Sequence, residues 1–166
     1  MATRRVFYSF HYEPDNWRAA QVRNIDVIEG NVPARDNDWE TVKRGGDAAI
    51  KKWIAGQMYG RSCTVVLVGA ATAGRKWINH EIVESWNQGM GVVGIRIHGL
   101  QDRWQRTTVA GANPFDSISF NNTGARLSST VKCHSPTGTT SQERYGWIRD
   151  NLSAIVEEAI RIRNAN

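Results

Sequence analysis

The chain has 166 residues, a formal net charge of +5 at pH 7, 40% hydrophobic residues and seven tryptophans. That composition supports one folded domain with a sizeable core and excludes a disordered chain. The longest apolar run, around Cys63 to Ala71, is far shorter than the roughly 20 residues a membrane helix needs.

Met1 to Arg5 leads straight into a strand pattern without the apolar segment of a signal peptide, so the expectation is a soluble, cytoplasmic protein with no membrane partner. Cys63 falls in a predicted core strand and Cys133 in a distant polar region, while His11, His80, His98 and His134 are scattered. Neither set has metal-ligand spacing, so no metal site is expected. The positive charge favours polyanions, but it is spread as short pairs (Arg4-Arg5, Lys43-Arg44, Lys51-Lys52, Arg75-Lys76) without a recognition-helix or RNA-binding aromatic signature. Nucleic acid is therefore disfavoured. A smaller anionic ligand, such as a dinucleotide pyrophosphate, suits the charge equally well, and most of these side chains are read as solvated surface.

In chain order, Arg4 to Phe10 reads as a first, central strand, nearly all apolar or aromatic. His11 to Asp15 then forms a polar loop at its carboxyl end, and Asp15 is the expected N-cap of a helix from Asn16 to Glu29. Residues 30–38, with Pro33 and the Asp36-Asn37-Asp38 run, read as an irregular connection able to contain a short edge strand. After Gly45-Gly46, Asp47 is placed to cap a helix whose Ala49, Ile50, Trp53, Ile54 and Met58 fall at core spacing. Cys63 to Gly69 is a short apolar run of the kind buried on both faces of a parallel sheet. Gly69 and Gly74 flank the next loop and are read as leaving room for a ligand. A helix over Arg75 to Trp86 and a strand over Gly91 to Ile97 complete a right-handed crossover unit. Gly111 to Asp116 reads as an ordered turn, and Ile118 and Phe120 mark a last short strand. Residues 121–140, rich in Asn, Thr, Ser and Gly, read as a variable surface excursion with a short strand near Val131. Thr140 and Glu143 have capping-box spacing ahead of a C-terminal helix over about 141–163, whose Ile148, Leu152, Ile155, Val156, Ala159 and Ile160 form one stripe. The whole of 1–166 is thus read as a single α/β domain.

The stretch from Arg75 to Trp86 organises the functional reading. Ile78, Ile82 and Trp86 form a stripe that can pack on the sheet, and Trp77 and Glu81, four apart, share the adjoining face. In open α/β sheets ligands bind beyond the carboxyl ends of the strands, where this loop and helix lie. On spacing alone, Glu81 reads more readily as an ordinary solvated residue and Trp77 as edge packing.

Val6-Phe7-Tyr8-Ser9-Phe10 resembles the first box of Toll/interleukin-1 receptor (TIR) domains, and Trp77-Ile78-Asn79-His80-Glu81-Ile82 resembles their Trp-x-x-x-Glu helix, which carries a catalytic glutamate. Phe10-His11-Tyr12, Asp38-Trp39-Glu40, the Trp77 to Glu81 helix and Gly111 to Asp116, taken together and in order over residues 4–120, resemble the TIR-like proteins of the Thoeris anti-phage system. The resemblance implies a flavodoxin-like open parallel sheet flanked by helices. It also implies cleavage of the nicotinamide–ribose bond of NAD, as a glycohydrolase or ADP-ribosyl cyclase, with NAD as substrate and no further cofactor. Glu81 would be catalytic; Trp77 would wall the pocket, and Ser9, Phe10 and His11 would border the nicotinamide ribose or base. Asp38 and Trp39 lie where family members carry a loop used in self-association and in a neighbouring subunit's site. Asn113 and Asp116 either line the pocket or shape a turn, the turn being preferred. The product would be a signalling nucleotide, a cyclic isomer or a conjugate of ADP-ribose, made after a phage-derived trigger and sensed by a separate effector.

Three other readings compete with this one. The chain could be a non-catalytic adaptor acting through homotypic contacts. A phosphoacceptor receiver shares the fold but needs an Asp where this chain has Val68-Gly69, and is discounted on that ground. A nucleoside deoxyribosyltransferase would use Glu81 as a covalent nucleophile. Glu84 competes with Glu81 for the catalytic role but lacks the register to Trp77.

Overall fold

The computed structural model describes residues 3–25, 27–30 and 42–166. Five parallel strands, β1 (Arg5–Ser9), β2 (Glu29–Gly30), β3 (Cys63–Val68), β4 (Gly91–Arg96) and β5 (Cys133–His134), form one sheet in the order β2-β1-β3-β4-β5. Among the described residues, four helices with complete bounds flank it: α1 (Tyr12–Arg23), α2 (Gly46–Met58), α3 (Lys76–Asn87) and α4 (Ser141–Asn164). This is the flavodoxin-like arrangement, whose strand order reverses between β1 and β3 and opens a crevice at their carboxyl ends.

The alternation of side chains divides the core by faces. Val6, Tyr8, Val65, Leu67, Val93 and Ile95 point to one side, where Ala19 and Val22 of α1 and Ile148, Leu152 and Val156 of α4 cover them. On the other side Val66 and Val68 meet Ile78 and Ile82 of α3, and Phe7 meets Ile50, Ile54 and Met58 of α2. All six residues of β3 are buried because helices lie on both faces. Each fully buried aliphatic side chain contributes about 1.5–3 kcal/mol relative to exposure.

Several boundaries differ from the sequence expectation. Helix α1 starts at Tyr12 rather than Asn16, because only Phe10 and His11 separate it from β1; Pro14 is accommodated in the first turn, where no N–H is needed. Asp15 is therefore not a cap but a helical residue, 2% exposed and paired with Arg18. The helix ends at Arg23, and Glu29 belongs to edge strand β2, since Ile25 and Ile28 turn into the core at a spacing that imitates a continued helix. Residues 31–41, including the remainder of the expected connection, lie outside the described residues.

Ile118 and Phe120 do not form the last strand. Only one antiparallel bridge, Ser119 to Arg126, occurs there, and Phe120 instead packs on Trp86 with ring centroids 5.6 Å apart. The last strand is β5, inside the polar excursion, paired with Gly94 and Ile95. The excursion is anchored by Leu127 and Val131, both buried against β3, β4 and α3, so it is not wholly a surface feature. Cys133 likewise sits in β5 and is partly buried. The C-terminal helix begins with the predicted cap: Thr140 Oγ1 accepts from the Glu143 amide at 3.1 Å. The return bond is shifted by one residue, with Glu143 Oε2 accepting from the Thr139 amide at 2.9 Å.

Candidate active site

The carboxyl ends of β1 and β3 face a cleft of about 1170 Å³ into which α3 presents Glu81. Ser9, the last residue of β1, lies beside Val66 in the sheet register and donates its hydroxyl to Oε2 of Glu81. Desolvation by the surrounding protein pushes the Glu81 carboxyl up to about 7, with the Ser9 hydrogen bond pulling the other way. The carboxylate is thus walled by protein while keeping an opening to the cleft. It sits close to the protonation balance that suits chemistry near neutral pH.

A second polar contact fixes the helix one turn further on. Ser85 Oγ donates to the Glu81 carbonyl at 2.6 Å and lies 2.6 Å from Thr64 Oγ1. Because the Ser85 proton is used on the carbonyl, Thr64 supplies the proton of the hydroxyl–hydroxyl bond. Both side chains are fully buried, so α3 is pinned to β3 by a polar contact inside an otherwise apolar interface.

The cleft collects most of the residues singled out in the sequence. Phe10, His11, Trp77 and Glu81 all line it. Trp77 packs against the Phe7–Ile54 cluster and meets His80 edge-on at 5.7 Å. Phe10 stacks on Tyr12 at 6.1 Å and 28°. His11, at the N-cap position of α1, has its basicity lowered first by burial and then by the charge of Arg75, against an opposing pull from Glu13. Asp38 and Trp39 lie outside the described residues. Glu84 does not line the cleft and accepts from Gln88 Nε2 at 2.8 Å instead, so the structure separates the two acidic candidates.

Asn113 and Asp116 do not line this cleft but a shallow depression next to it, across Ala73 and Gly74. Asn113 Oδ1 accepts from the Phe115 amide at 2.9 Å, opening a short 3₁₀ turn over Pro114–Ser117, which is the turn role expected of it. The expectation that Gly69 makes room for a ligand is corrected: a Cβ there would lie 2.1 Å from Asp15 Oδ2, so the space is filled by helix α1. Gly74, at φ +83°, does border the cleft.

Sequence reasoning missed Arg75, Trp53, Trp17 and Arg103, which also line the cleft. Arg75 was findable, since it sits at the start of the very helix that carries Glu81. Arg103 was not. It comes from the loop after β4, which Arg18 holds in place through bonds to the Leu100 carbonyl at 2.9 Å and the Arg106 carbonyl at 2.8 Å. Among the described residues no cluster of three or more His, Cys, Asp or Glu could hold a metal, and no helix is long and apolar enough to cross a membrane.

The strand order, with a serine-bonded glutamate and an aromatic wall at the point where that order reverses, defines a TIR-like α/β domain. The sequence profile described as "Thoeris protein ThsB, TIR-like domain" matches residues 7–102, and the chain belongs to that family. A curated protein of Bacillus cereus (strain MSX-D12), "Putative cyclic ADP-D-ribose synthase ThsB1", is 35% identical over 122 residues, covering 70% of this chain and 64% of its own length. The chain thus spans less than two thirds of that relative.

Proposed function

We propose that the chain cleaves the bond between nicotinamide and ribose in NAD and transfers the ADP-ribosyl group to a nucleophile, giving a signalling nucleotide of anti-phage defence. The observation that carries this reading is Glu81, bonded to Ser9 and open to the cleft. Family membership and the name of the Bacillus relative support it.

The chemistry suits a lone carboxylate. As the bond from ribose C1 to the nicotinamide nitrogen breaks, its electron pair stays on nitrogen and neutralises the pyridinium, so the leaving group needs no proton. The positive charge moves to the ribose, which becomes oxocarbenium-like. Ionised Glu81, held by Ser9, faces that charge and stabilises the transition state more than the ground state. A hydroxyl or ring nitrogen of the same molecule then bonds to C1 and gives a cyclic isomer; a hydroxyl that attacks releases its proton to Glu81 or to water. Water in its place gives ADP-ribose, and another small nucleophile gives a conjugate. The product acts on a separate effector, and self-association accompanies activation by infection.

The test is mass spectrometry of NAD incubated with lysates of phage-infected cells that express the native chain or Glu81→Gln. Release of nicotinamide with a new ADP-ribose species should fall by about 10² to 10³ in the variant, the usual loss for one preorganised electrostatic partner. Equal NAD consumption by both folded chains overturns the role of Glu81. Absence of consumption by either, with both folded, favours an adaptor working through homotypic contacts.

A further inference from the structure

Four cations border the cleft: Lys43, Arg75, Lys76 and Arg103. They are not equivalent. Lys76 is committed to Asp47 at 2.5 Å, and its ammonium lies 4.9 Å from the centre of the Trp77 ring. Arg75 and Arg103 have no carboxylate within ion-pair distance among the described residues. Arg103 is laid over the Trp104 ring at 4.2 Å, a contact that leaves the edge of its guanidinium free to donate.

Four cations against two carboxylates, Glu13 and Glu81, line the cleft, and the two guanidinium groups, held in no ion pair among the described residues, are the ones placed to attract an anion. Their positions suit a particular one. Arg75 precedes Glu81 by six residues, about 9 Å along the axis of α3. With the ribose at Glu81, that offset along the helix leaves room for the long side chain of Arg75, the N-cap residue of α3, to meet a phosphate carried on the ribose. The charge of Arg75 also reaches His11, on the β1 side of the same cleft. The cleft volume of about 1170 Å³ accommodates a ligand larger than a nucleoside.

We propose that Arg75 and Arg103 form a diphosphate subsite, so that the cleft selects a ribose carried on a nucleoside diphosphate over a free nicotinamide riboside. The inference rests on the NAD reading and deepens it. The arginine fork matches phosphate oxygens in a bidentate manner, whereas Lys43 and Lys76 would supply only point charges.

The experiment measures nicotinamide release from NAD and from nicotinamide riboside, in the activated lysate, by the native chain, Arg75→Ala, Arg103→Ala and Arg75→Lys. Inorganic pyrophosphate is included as a competitor, and ADP-ribose binding to the purified full chains is followed by calorimetry. In the alanine variants the preference for NAD over nicotinamide riboside should fall roughly ten- to a hundredfold, the loss of one or two charge-assisted hydrogen bonds. Most of the effect should lie in KM, ADP-ribose affinity should fall in parallel, and pyrophosphate should compete with NAD in the native chain only. Arg75→Lys should recover part of the preference. Native discrimination below tenfold, or alanine variants with unchanged KM, ADP-ribose affinity and pyrophosphate competition, overturns the subsite while the NAD reading stands. A native chain that neither cleaves NAD nor binds ADP-ribose overturns both.

Discussion

Ser9 and Glu81 are 72 residues apart in the chain, and the hydroxyl of the first donates to the carboxylate of the second at the end of the sheet. This bond favours the ionised form of Glu81 while desolvation favours the neutral one, and desolvation is the stronger of the two. The ionised form is the one that can face a ribosyl cation.

The pH dependence of nicotinamide release should therefore have an acid limb with a midpoint near 7. Ser9→Ala removes the bond that supports the carboxylate, so its midpoint should move to higher pH and its activity at pH 7 should drop several-fold, with recovery toward pH 8.5. An acid limb unchanged by Ser9→Ala would show that the hydroxyl does not tune Glu81.

The same carboxyl sets a stability trend. Its folded pKa, about 7, lies above the ordinary value of 4.5. Between these two values the folded chain holds a proton that the unfolded chain has lost, so this group's contribution falls as pH rises from about 4.5 to 7 and stays low above that. Glu81→Gln removes the titration. Relative to the native chain it should gain roughly 1–3 kcal/mol between pH 5 and pH 8, read from urea midpoints at the two pH values. A difference that stays flat, or reverses in sign, contradicts a raised Glu81 pKa.

Ser85 and Thr64 form the polar pin beneath the site. Ser85→Ala leaves the Thr64 hydroxyl buried without its partner and should cost about 1–3 kcal/mol in denaturant unfolding. Thr64→Val in the same chain removes the stranded group, so the double variant should be less destabilised than the two single losses summed. Additive losses would mean that the two hydroxyls do not act as a pair.

The geometry of this site was partly legible in the sequence, whereas the role given to Glu81 came from the family resemblance. Glu81 and Trp77 lie on a helix whose 3.6-residue period fixes their common face, and Ser9 ends an apolar run that leaves little choice but a buried strand. The strand pairing itself was not legible in two places. β2 and β5 are two residues long, too short to carry an alternation, and β5 lies in a segment whose composition is that of a loop. The start of α1 was misread because Asp15 has the chemistry of a cap. Only the fold shows that one oxygen of its carboxylate, Oδ1, pairs with Arg18, which in turn holds the loop bearing Arg103.

The long separation between Ser9 and Glu81 bears on how the chain is made. β1 leaves the ribosome before its partner β3 and the helix α3, which follow only after α2 has been synthesised. Contacts so distant in sequence form late, after the loop-closure cost has been met. A slip of one residue in the pairing of β1 with β3 would turn Ser9 to the opposite face of the sheet and leave Glu81 without its hydroxyl donor. A chain misregistered by one residue therefore lacks the Ser9–Glu81 bond, so the electrostatics of the site depend on the register of β1 against β3.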